Sequence, residues 1–125
     1  MKDIERWRKE LAVNVALRNQ VTLEQMNYAV PRLIDRLIFL RICEDRKTEE
    51  ERQLFEISRK EKIYDHLVAL FKEADRKYNS GLFHLEKRYK RDKPDEYTPT
   101  LKIDDKVLKK IIEEMYYPKS QYQFH

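Results

Sequence analysis

One glycine in 125 residues, Gly81, constrains this chain more than any other feature. Sheet-rich domains turn often, and their tight turns call on glycine for backbone conformations that other residues resist. With one glycine and 40% charged residues, the chain reads as all-α. We expect an irregular bundle of four to five helices with one long loop. Its length suits a single domain with a real core, because a compact domain of this size buries about two thirds of its unfolded surface.

Hydrophobic spacing places the helices. Trp7, Leu11 and Val15 mark a first helix over about 3–17, ending near Asn19. Thr22 and Gln25 have the capping-box spacing that opens a second helix. Its inward stripe is Leu23, Met26, Val30, Leu33, Leu37 and Leu40, and Pro31 inside it predicts a kink or restart. Thr48 and Glu51 repeat the capping spacing and predict a third helix start. The polar run 58–62 is either a break or the exposed stretch of one long helix. A further stripe follows at Ile63, Leu67, Leu70, Phe71 and Ala74, closed by Gly81 in the left-handed conformation. Residues 86–99, with Pro94 and Pro99, read as a loop. Asp104 opens a last helix whose inward stripe is Val107, Leu108, Ile111, Ile112 and Met115 and that Pro118 stops.

Few catalytic classes survive inspection. Cys43 is the one cysteine, lies in an apolar run and has no histidine nearby, so it makes a poor nucleophile and no disulfide. His66 and His84 lack metal-ligand spacing. A phosphate-cradling loop needs more than one glycine. Pro94, Asp95 and Glu96 resemble half of a PD-(D/E)xK nuclease site, but no strand supports them. Net charge is +4 from 27 basic and 23 acidic side chains, which permits nucleic-acid contact without demanding it. The polar N-terminus lacks signal-peptide character, and no stretch has membrane-spanning length. A cytoplasmic protein is expected.

Two charged clusters stand out. Arg32, Asp35, Arg36, Arg41, Glu44, Asp45 and Arg46 lie on the second helix, with Arg41 near its apolar face. Charge there is either paired, with Glu44 and Asp45 in reach, or turned toward another domain or a nucleic-acid backbone. Lys87, Arg88, Lys90, Arg91 and Lys93 surround Tyr89 in the loop, where they suit either solvent or DNA phosphates.

Three blocks carry a resemblance: LEQMNYAVPRLIDRLIFLRICEDR (23–46), DRKYNSGLFH (75–84) and LKIDDKVLKKIIEEMYYPKSQYQF (101–124). With the opening WRKELAVNVALRN they resemble the segment just upstream of the adenine methyltransferase domain in type IIG-like restriction–modification enzymes. Pro31 stands where that family has a helix former. The resemblance implies a non-catalytic helical connector spanning 1–125, a fragment of a larger protein. Neither the cofactor loop nor an Asn-Pro-Pro-Tyr motif occurs here, so it implies no cofactor for this chain. S-adenosylmethionine and magnesium would belong to the parent enzyme. The implied partners are the methyltransferase domain of the same parent and duplex DNA, with no membrane. Autonomous nucleic-acid binding and a free-standing helical adaptor are the alternatives.

Overall fold

The structure is a computed structural model that describes residues 2–117. In order it contains α1 (Lys2–Arg18), α2 (Leu23–Asp45), α3 (Gln53–Ser58), α4 (Ile63–Tyr78) and α5 (Asp105–Tyr116). Short 3-10 turns cover Gly81–Phe83 and Thr98–Thr100. No strand occurs among the described residues, in keeping with the single glycine. Helices α1 and α2 pack together, and α5 lies against α1, α3 and α4. The stripes read from spacing meet in one core in which Trp7, Leu11, Ile34, Leu40, Leu54 and Ile111 are fully buried.

Helix α2 opens as the spacing predicts. The Thr22 hydroxyl accepts from the Gln25 amide at 3.0 Å and the Gln25 side chain accepts from the Thr22 amide at 2.9 Å. It then continues past Pro31 without a restart. Leu23 departs from the expected inward stripe, with 74% of its surface exposed. No described residue covers that position in the first turn, so apolar character alone does not bury it.

The next two helices take their caps from residues outside their own first turn, and only the start of α3 differs from expectation. Thr48 does not open α3, which begins at Gln53 behind Arg52 in a left-handed conformation (φ 59°). Its Leu54 amide, in the first turn, donates instead to the buried Glu44 carboxylate of α2 at 3.0 Å. The polar run 58–62 does break the helix, at 59–62, and Lys62 before α4 is again left-handed (φ 52°). Both oxygens of Asp105 on α5 accept from the Lys62 and Ile63 amides at 3.1 and 2.8 Å. A carboxylate at a helix N-terminus satisfies orphan donors and complements the dipole wherever in the sequence it originates.

Gly81 is not the residue that closes α4. Asn79 takes the left-handed position (φ 48°), and Gly81 has no positive φ. Asparagine tolerates that conformation better than other side chains. Asn19 ends α1 as expected and also clamps the chain before α5: its side chain donates to the Lys102 carbonyl (2.8 Å) and accepts from the Lys102 amide (2.9 Å). Asp104 precedes α5 in extended conformation, but its carboxylate serves Asn14 and Arg18 of α1 rather than its own helix. Pro118 and the tail beyond it lie outside the described residues.

Candidate docking and nucleic-acid surface

Of the charges expected on α2, Arg36 turns inward. It is 1% exposed, and each arm of its guanidinium is used. Nε donates to the Leu82 carbonyl (2.8 Å), Nη1 to the Thr98 hydroxyl (3.0 Å) and Nη2 to Asp95 (2.9 Å). Asp95, one of the two acids in the nuclease-like Pro-Asp-Glu run, is thereby committed to structure. Its other oxygen accepts from the Tyr97 and Thr98 amides at 3.1 and 3.0 Å. Burial pushes the Asp95 carboxyl up, but Thr98 and Arg36 outweigh burial and hold it below the usual carboxylate range. Tyr64 of α4 donates its hydroxyl to the Thr98 carbonyl, so one network joins α2, α4 and the long loop.

Arg41 lies mostly covered at the α2–α5 seam. It pairs with Asp45 one turn on, donates to the Met115 carbonyl at 3.3 Å and lies 4.2 Å from the Tyr116 ring centre. Glu44 is buried beside it and accepts from the Tyr116 hydroxyl as well as from Leu54. Burial raises the Glu44 carboxyl above its ordinary value, against the lowering effect of those hydrogen bonds and of Arg41. Arg32 lies 4.1 Å from the Tyr28 ring centre, beside a surface hollow that Pro31, Asp35 and Leu82 also line.

The basic loop divides in the same way. Arg88 reaches back to α4, pairing with the buried Asp75 carboxylate and donating to the Asp75 carbonyl at 3.1 Å. Asp75 also accepts from the Leu85 and Glu86 amides, both at 3.0 Å. Asp92 accepts from the Arg88 amide at 2.8 Å and meets His84 Nε2 at 2.7 Å. Burial raises the Asp92 carboxyl, and these two partners outweigh it and leave the group lowered. Three aspartates therefore anchor the segment from inside. Lys87, Lys90, Arg91 and Lys93 stay exposed, with no ion-pair partner among the described residues, beside a 66% exposed Tyr89.

A second surface was not legible as a site in the sequence. Arg6, Lys9, Glu10 and Val13 of α1 face Lys106, Val107 and Lys110 of α5 across a groove of about 560 Å³. Val13 and Leu17, one turn apart, are 56% and 68% exposed. Spacing marked Val107 as inward and left Val13 without a role. Their juxtaposition depends on how α1 docks on α5.

Among the described residues, no group of three or more His, Cys, Asp or Glu is arranged to hold a metal ion. Asp75 is held by the Arg88 side chain and two backbone amides, Asp92 by the Arg88 amide and His84, and Asp95 by Arg36, Thr98 and two backbone amides. No helix among the described residues is long and apolar enough to cross a membrane.

No protein-family model matches the chain, and no solved structure matches it. A curated protein does: the type II restriction enzyme and methyltransferase RM.Eco57I of Escherichia coli, 37% identical over 126 residues. The match takes in 99% of this chain and 12% of that protein. Along nearly its whole length, then, the chain is related to one segment of a type II restriction–modification enzyme, as its three sequence blocks imply.

Proposed function

We propose that this chain is a helical connector of a type II restriction–modification enzyme. It performs no chemistry itself, supports a cytoplasmic parent's adenine methyltransferase domain, and lays the exposed side of its basic loop against the DNA backbone. The observation that carries this reading is the end-to-end match to a small part of a restriction enzyme and methyltransferase. Two features of the fold support it. The arginines that a reaction centre would use are spent on internal pairs, as with Arg36 and Arg88. The lysines and Arg91 of the loop are held outward by anchored backbone, a geometry suited to phosphate contact, which positions a protein without reading sequence.

A chimera tests the connector role. The matched segment of RM.Eco57I is replaced by this chain, and methyl transfer and DNA cleavage are assayed. Both activities should persist. A chimera with native circular dichroism that has lost both would overturn the reading, as would saturable S-adenosylmethionine binding by the 125-residue chain in calorimetry. The DNA contact is tested by fluorescence anisotropy with a duplex at low salt. Binding should weaken as salt rises and fall when Lys90 and Arg91 are changed to Ala. An unchanged affinity would leave the loop as a solvated surface. Retained duplex binding by this chain, together with an inactive chimera, would favour an autonomous nucleic-acid-binding module instead.

A further inference from the structure

We infer that the groove between α1 and α5 is a docking site for an acidic amphipathic helix. This goes beyond the connector reading and does not rest on it. Val13 and Val107 form the floor, and Val13 leaves more than half its surface in water. Leu17 extends the apolar strip by one helical turn on α1. Such a strip, bounded by two helices already packed together, is the shape that a third helix fills when its apolar residues recur at three- and four-residue steps.

The rim supplies the sign. Arg6, Lys9, Lys106 and Lys110 face a single carboxylate, Glu10. Glu10 is already engaged, pairing with Lys110 at 3.0 Å and lying 3.9 Å from Arg6. Arg6 further pairs with Asp3 and Glu114. Lys9 and Lys106 have no ion-pair partner among the described residues, one on each wall. An occupant with carboxylates flanking its apolar stripe would meet both lysines. A nucleic-acid backbone would answer the lysines but leave the valine floor unmatched, so a protein segment fits the groove better than phosphate does.

The test uses the 125-residue chain with labelled valine and leucine methyl groups, followed by NMR. The probe is a synthetic helical peptide of about 15 residues with leucines along one face and glutamates beside them. Its twin carries lysine for every glutamate, and a short DNA duplex forms the third arm. The acidic peptide should shift the Val13 and Val107 methyl signals and should bind about tenfold more tightly than its twin. The double variant Lys9→Glu/Lys106→Glu should erase that preference, and Val13→Asp should abolish binding by the acidic peptide. Both sets of positions are exposed enough that the fold should persist, which unchanged methyl signals elsewhere would verify. Equal affinity for the two peptides, shifts confined to other methyl groups, or no shift at all would overturn the inference. So would duplex DNA that perturbs Val13 and Val107 in competition with the acidic peptide.

Discussion

Changing Asp95 to Ala probes the network on which the loop depends. Arg36 would keep its 1% exposure but lose its counter-charge, while the Tyr97 and Thr98 amides would lose their acceptor. Removing one member of a buried pair typically costs about 3–5 kcal/mol, because the remaining charge stays uncompensated. A small domain loses roughly 2 kcal/mol of stability per molar urea, so the unfolding midpoint should fall by about 2 M. That is a large part of a total stability of about 5–15 kcal/mol. Adding Arg36→Met should restore part of the loss by removing the stranded charge. The orphaned amides would remain, at about 1–2 kcal/mol. Urea unfolding followed by circular dichroism measures both variants, and amide exchange at Thr98 reports whether the loop loosens first. A midpoint shift under about 0.5 M for Asp95→Ala would refute the argument, since even the low end of the expected cost exceeds it. A double variant less stable than the single one would refute it too.

Three further outcomes follow from the same geometry. Glu44 has a carboxyl raised by burial, so the folded state holds its proton more tightly than the unfolded state does; stability should therefore rise as pH falls from the raised value toward the ordinary one near 4.5. Glu44→Gln should flatten that slope in pH-dependent urea melts, whereas Glu44→Ala should cost about 2–3 kcal/mol by orphaning the Leu54 amide; an unaltered slope in the Gln variant would assign it to another group. Gly81→Ala should be neutral or stabilise by up to about 1 kcal/mol in thermal melts, because its φ is not positive and an added Cβ meets nothing within 4 Å among the described residues; a clear loss would contradict this. Arg88→Ala should speed amide exchange at Leu85 and Glu86, whereas Lys90→Ala should leave it unchanged, since only Arg88 reaches Asp75.

Local signals settled the class of this chain and most of its helical stripes. The scarcity of glycine excluded a sheet-rich fold, and three- and four-residue periodicity found the buried faces of α1, α2, α4 and α5. Thr22 and Gln25 cap α2 because both partners lie within one turn, where spacing alone specifies contact. Tertiary structure decided the rest. The caps of α3 and α4 come from Glu44 and Asp105, the latter 42 positions from the Ile63 amide it receives. Arg36 finds Asp95 across 59 positions, and Arg88 turns to Asp75 while its loop neighbours remain in solvent. A charged side chain looks the same in sequence whether it is solvated or paired; only the chain's path through space determines which carboxylate comes within reach.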